Sequence, residues 1–230
     1  MKIGILVAMS KEMELLKGFI SEGQTEHGRA FDYLDGKVGK NEVVIQQCGI
    51  GKVNSALGAA EMITLYEPDF ILSTGVAGSL DDDLHSGDTI MGVWYHYHDV
   101  FCGKELVKGQ VQGMPSTFTP LEVGINTEGD LCVRIGKILG QHVRIAGVLS
   151  GDQFIVDPKV KAKLKATYPL ASVVDMESCS IAQTCYRYKV PFVAIRIISD
   201  NCAEEQYEDF WKYVAKWSFN STKKILEELV

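Results

Sequence analysis

Pro191-Phe192-Val193-Ala194-Ile195-Arg196-Ile197-Ile198-Ser199-Asp200 is the stretch from which the fold is read. A compact apolar run of this kind is a buried strand. It closes on an aspartate, and a single arginine interrupts it. A charge in so apolar a strand needs a partner or a reason. Asp200 has two readings. It is a turn former or the N-cap of the next segment, or a general acid whose semi-buried carboxyl stays protonated near neutrality.

Working outward, other β-type runs appear at Ile3 to Ala8, Phe70 to Ser73, Ile90 to Tyr97 and Val143 to Ser150. Helical spacing separates them. Ser10 is a candidate N-cap, followed by Met13, Leu15, Leu16 and Phe19. Helices are expected over 53–66, 127–139, 158–168, 176–188 and 206–229. Asp35-Gly36 suggests a hairpin turn between segments 30–34 and 37–47. Gly49-Ile50-Gly51-Lys52 is a turn, and Gly75-Val76-Ala77-Gly78-Ser79 breaks the strand pattern with small residues. Residues 100–120 read as a long loop. With no repeats and no linker, the pattern predicts one α/β domain over residues 1–230, a central mixed sheet flanked by helices. Ligand sites in such folds lie beyond the carboxyl ends of strands. That points to Met9 to Glu12, Gly75 to Ser79, Gly151 to Ile155, and Asp200.

The 230 residues are 46% hydrophobic and 23% charged, with a formal net charge of −7. No basic block is present, which argues against nucleic acid or an anionic membrane as partner. No apolar run is long enough to span a bilayer. The opening MKIGILVAM meets Lys11, Glu12 and Glu14 at once, so it reads as a strand and not a signal peptide. Six cysteines without a CxxC pair argue against zinc or a disulfide framework, and fit free thiols in the cytoplasm.

Three further residues carry candidate chemistry. Glu177, in Asp175-Met176-Glu177, either starts a helix through its charge or accepts hydrogen bonds from a vicinal diol. Glu12 alone reads as a solvated helix residue. Arg196 reads as half of a buried ion pair or as a solvated side chain.

Taken together, the stretches MKIGILVAMSKEMELL, CGIGKVNSALGA, STGVAGSL, SGDQFI, VDMESCSIA and VPFVAIRIISD resemble the 5′-methylthioadenosine/S-adenosylhomocysteine nucleosidases, within the purine nucleoside phosphorylase-like superfamily. The resemblance spans nearly the whole chain. It implies a three-layer nucleoside phosphorylase-like fold and cleavage of the bond between adenine and a 5′-thio-substituted ribose, 5′-deoxyadenosine being a further candidate substrate. By the match, Asp200 is similar to the acid that protonates adenine N7, an effect of ~10²–10⁴-fold. Glu12 resembles the base that activates water. Glu177 resembles the ribose diol acceptor, assisted by the backbone of Met176, with Arg196 near it. Phe154 looks like the aromatic on the adenine face, and Ile155 reads the base edge through its backbone. Met9 and Ile50 resemble walls of the 5′-alkylthio pocket, with Tyr207 at its mouth. The resemblance also implies a homodimer, Val100 and Pro115 being candidates for completing the neighbouring site. It implies no metal and no cofactor.

Position 76 departs from the pattern. Val76 stands where these nucleosidases carry a serine that helps hold the catalytic aspartate, and Ser79, Thr74 or Ser199 are the alternative donors. Competing readings are a phosphate-dependent nucleoside phosphorylase, an aminodeoxyfutalosine nucleosidase and a non-catalytic nucleoside-binding protein. The first 28 residues contain no arginine. A phosphate dianion needs charge-assisted donors, so water is the expected nucleophile.

Overall fold

The structure is a computed structural model that describes residues 1–120, 131–199, 211 and 219–229. Nine strands form one mixed sheet: β1 (Lys2–Val7), β2 (Ser21–His27), β3 (Asp32–Val38), β4 (Asn41–Gln47), β5 (Phe70–Ser79), β6 (Thr89–Tyr97), β7 (Val143–Ser150), β8 (Ala171–Asp175) and β9 (Phe192–Ile198). Six helices are described: α1 (Ser10–Lys17), α2 (Lys52–Tyr66), α3 (Leu131–Leu139), α4 (Pro158–Thr167), α5 (Ser178–Tyr188) and α6 (Asn220–Glu228). Residues 100–120 hold neither helix nor strand, as the sequence predicts; their one bridge joins Phe118 to Tyr95.

The strand order is β2-β3-β4-β1-β5-β8-β7-β6-β9, and β9 returns to pair with β5. Strands β5, β8, β7, β6 and β9 therefore close into a ring. Strand β5 is the hinge of this arrangement. It runs parallel to β1 and β9 along most of its length. Its last residues, Gly78 and Ser79, pair antiparallel with β8.

Alternation sorts the strands' side chains between two cores. Phe192, Ala194 and Ile198 of β9 join Leu6 and Ile71 in a cluster with Ile181 of α5. Val193, Ile195 and Ile197 join Ile3, Ile5 and Leu72 in another with Ile225 and Leu226 of α6. Both faces are covered, which is why these strands read as unbroken apolar runs. Burying one such side chain contributes about 1.5–3 kcal/mol.

Three local expectations are corrected. Asp35-Gly36 is not a turn but the middle of β3. The left-handed residue the turn needs is Gly39 (φ +59°), which joins β3 to β4. Gly36 is small because a Cβ there would approach Ile20 Cγ2 to 2.4 Å. The small-residue segment 75–79 continues β5 instead of breaking it. Helix α1 is capped by the extended backbone of Met9, with Ser10 already inside the helix. The start of the helix expected over 206–229 lies outside the described residues, as do residues 127–130 of the one expected over 127–139.

Candidate active site

Strands β1, β4 and β5 run parallel, so the chain leaves β1 and β4 on the same edge, beside the middle of β5. The site is built there. Glu12 sits in the first turn of α1, yet it is buried. Its Oε2 accepts the backbone amides of Ala8 and Met9, each at 2.9 Å. Its Oε1 accepts the amide of Val76 at 3.1 Å. This carboxylate is a helix cap turned inward, satisfying amides that the helix cannot. Burial pushes its pKa up, and the amide donors and Arg196 hold that rise in check.

Arg196 belongs to the face of β9 that carries Ala194 and Ile198, and it is only 2% exposed. Its partner is Asp175, which receives Nε at 2.7 Å. Nη1 donates to the carbonyls of Ser73 (3.2 Å) and Ile195 (3.1 Å), and Nη2 donates to Ser73 Oγ at 2.9 Å. Asp175 also accepts Ser150 Oγ at 2.5 Å, the Ser178 hydroxyl and the Ser178 amide. Every ionised group in this network has partners, the condition under which buried charge is tolerated.

Glu177 caps α5, two residues beyond Asp175 in this same network. Its Oε1 accepts the amide of Gly51 at 2.8 Å. Burial, and then the neighbouring Asp175 carboxylate, push the Glu177 carboxyl up to about 7. Hydroxyls of Ser55 and Ser180, 2.6 Å apart, tie α2 to α5 just behind it.

Glu12, Glu177, Arg196, Ser73 and Val76 border one small cavity, with Ala8 and Cys48 at its wall. Its room for a water centre is about 10 Å³, close to what one molecule of water requires. Two carboxylates and a guanidinium thus face a space of the size of one water. Such an arrangement can orient water and accept its proton.

The sequence-derived candidates divide in three. Glu12, Val76, Glu177 and Arg196 come together around the cavity. Met9, Ile50 and Met176 adjoin it through neighbours: Met9 by its amide on Glu12, Ile50 beside Gly51, Met176 between Asp175 and Glu177. Phe154, 80% exposed, and Ile155, buried against Leu149 and Leu164, lie on the loop after β7 and not in the cavity wall. Val100 and Pro115 are half-buried and also outside it. Asp200 and Tyr207 lie outside the described residues. Asp175, Ser150 and Ser73 complete the site, and local sequence does not mark them out. The signal that could have found them is the demand of Arg196 for a buried anion.

Residues 2–230 match the phosphorylase superfamily. A 5′-methylthioadenosine/S-adenosylhomocysteine nucleosidase of Halalkalibacterium halodurans is 36% identical over 230 residues, covering 98% of this chain and 96% of that protein. The chain belongs to the 5′-methylthioadenosine/S-adenosylhomocysteine nucleosidase family. Among solved structures of nucleosidases, that from S. pneumoniae with a transition-state inhibitor, MT-ImmA, superposes with a TM-score of 0.89 at 26% identity, all of both chains being covered. A futalosine hydrolase of Helicobacter pylori superposes with a TM-score of 0.86 at 27% identity, over 99% of this chain and 97% of that one. The match spans residues 2–230 and so takes in Glu12, Glu177 and Arg196.

Proposed function

We propose that the chain hydrolyses the N-glycosidic bond of 5′-methylthioadenosine and S-adenosylhomocysteine, releasing adenine and the 5′-thio-substituted ribose, with 5′-deoxyadenosine as a further substrate. The observation that carries this reading is the water-sized cavity between Glu12, Glu177 and Arg196, in a chain of the nucleosidase family.

As the C1′–N9 bond lengthens, its electron pair moves to adenine and positive charge develops on the ribose. Asp200 protonates N7, so adenine leaves neutral. The water held by Glu12 attacks C1′ and gives its proton to Glu12. One ionised base and one protonated acid flank the sugar, the division of labour of inverting glycosidases. Burial raises the pKa of Glu12, which makes its carboxylate a stronger base, while the three amides and Arg196 favour the ionised form that a base needs. Glu177, held by the Gly51 amide through one oxygen, offers the other to the ribose diol. Phe154 covers adenine, Ile155 and Met176 contribute backbone contacts, and Met9, Ile50, Val76 and Tyr207 line the remainder of the pocket.

Water, not phosphate, is the nucleophile in this reading. Among the described residues Arg196 is the one arginine at the cavity, and it is committed to Asp175, Ser73 and Ile195. The test is adenine release from 5′-methylthioadenosine in phosphate-free buffer. Release there, unchanged by added phosphate, supports hydrolysis. Release only with phosphate makes the chain a phosphorylase. The likeness to the Helicobacter pylori futalosine hydrolase favours one second reading, cleavage of an adenine-bearing futalosine-type nucleoside. A substrate panel separates the two.

The same reading includes a cytoplasmic homodimer. The face shared by α2 and α5 exposes Val53, Leu57 and Tyr188 around an apolar groove, and Val100 and Pro115 would complete the neighbouring site. Light scattering tests it; an active monomer would exclude a shared pocket. No described helix is long and apolar enough to cross a membrane.

A further inference from the structure

Three loops leave the carboxyl ends of β4, β6 and β7 and converge on one ammonium group. Lys52 Nζ donates to Asp99 Oδ2 at 2.7 Å and lies 3.6 Å from Asp152 Oδ2. The backbone completes the triangle. Lys52 N donates to Asp152 Oδ1 at 2.8 Å, and Asp152 N donates to Asp99 Oδ2 at 2.9 Å. Asp152 thereby places a carboxylate at the N-terminus of the 15-residue helix α2, where the helix dipole favours it. Gly51 has φ +94°, and a Cβ on it would come within 2.9 Å of Asp152 Oδ1. The loops are therefore in contact, not merely near.

Two corners stand next to residues of this chain's proposed pocket, and the third next to Val100, which would complete the neighbouring one. Ile50 is two positions before Lys52, Val100 follows Asp99, and Phe154 is two positions after Asp152. Gly51, between Ile50 and Lys52, donates the amide that holds Glu177. We propose that Lys52, Asp99 and Asp152 form an ionic clamp that positions the adenine-side loop, the 5′-substituent loop and Glu177 relative to one another; this rests on the nucleosidase reading. The three are positioning residues: they act through the loops they fasten.

The clamp is stronger than an ordinary surface pair. Lys52 and Asp99 side chains are only 24% and 11% exposed, so solvent screens them less than the exposed pairs that contribute almost nothing. Asp99 depends on it. Its Oδ1 is buried with no partner among the described residues. Burial alone would raise its pKa, but Lys52 and the Asp152 amide outweigh burial and hold it low. Without the ammonium, Asp99 keeps only the Asp152 amide, and the carboxylates of Asp99 and Asp152 face each other across the loops with no cation between them. Loops that drift apart present a less ordered pocket, so the loss falls on substrate binding.

The test uses the full-length protein with Lys52→Met, Asp99→Asn, both together, and Lys52→Arg. KM and kcat are measured for 5′-methylthioadenosine, and the Kd of adenine by calorimetry. The clamp requires KM to rise about tenfold or more in either single variant, while kcat changes less than about threefold. Adenine binding weakens in parallel. The double variant is no worse than the single ones, because both remove one interaction, and Lys52→Arg recovers most of the loss. Unchanged KM, with kcat falling only as the folded fraction falls, would overturn the clamp, as would losses in the double variant equal to the product of the singles. If Lys52→Met does not fold, Asp99→Asn breaks the same interaction from the other side and decides the question. Should the wild type release no adenine, the hydrolase reading fails, and the clamp is judged on adenine Kd alone: weakened binding supports it and unchanged binding overturns it.

Discussion

Glu12 takes the backbone amide of Val76 at 3.1 Å, so the side chain at position 76 has no part in holding the carboxylate. The absence of a side chain at 75 leaves the carboxylate its room. A Cβ on Gly75 would stand 2.6 Å from Glu12 Oε1. Gly75→Ala is expected to displace Glu12 and cut kcat by about 100-fold, with the fold retained by circular dichroism. Val76→Ser keeps the amide and is expected to stay within about threefold of wild type in kcat/KM. Normal turnover in Gly75→Ala would mean that the carboxylate yields to the methyl group without losing its place, whereas normal turnover in Glu12→Gln would remove Glu12 from the chemistry.

Arg196 is the counter-charge for the whole cavity. Replacing it with methionine leaves Asp175 without its 2.7 Å partner and strips Glu12 and Glu177 of the nearest positive charge. Breaking a buried pair from one side typically costs about 3–5 kcal/mol. Denaturant melts of Arg196→Met should show a loss of that size. A loss below about 1 kcal/mol, the range of exposed pairs, would mean that water reaches the site and screens it.

The Glu177 carboxyl, pushed up to about 7 in the folded chain from an ordinary 4.5, binds its proton more tightly folded than unfolded. Its contribution to stability is complete below about 4.5 and is lost as pH rises through about 7. The wild-type melting temperature is therefore expected to fall between about pH 5 and pH 8 by more than that of Glu177→Gln. Glu12, shifted the same way, keeps some slope in the variant. Parallel profiles would show that Glu177 is not desolvated.

Activity should respond in the opposite sense. Glu12 as base and Glu177 as diol acceptor both work ionised, and both are shifted upward. The acid limb of kcat/KM is expected near pH 7, well above the ordinary carboxylate value of 4.5. An acid limb near 4.5 would assign it to an exposed group.

Features carried by local pattern were legible in the sequence. The apolar runs that became β1, β7 and β9, and the acidic residues just past strand ends, needed only alternation and chain order. Strand β2 was invisible because all seven of its residues are exposed, which leaves no apolar face to alternate. Asp35-Gly36 carried a turn signal, but close packing against Ile20 explains its glycine. Glu12 by itself looks solvated; its burial is completed by Val76, 64 positions away. Lys52 and Asp152, 100 positions apart, look like two ordinary surface charges until the loops meet. Charge partnerships across such distances are created by the fold, so no local window contains them.

Because β9 pairs with both β6 and β5, the sheet has a single free edge among the described strands, β2. An unpaired edge is a template on which another chain can add a strand and begin to aggregate. Here that edge reads Ser-Glu-Gly-Gln-Thr-Glu-His, without one large apolar side chain, and its register against β3 shifts between Ser21 and Gln24. Ring closure removes one exposed edge and polarity disarms the other. Substituting Gln24 and Glu26 with valine would leave the active site untouched, yet it would give that border an apolar face and leave the enzyme prone to fibrous association.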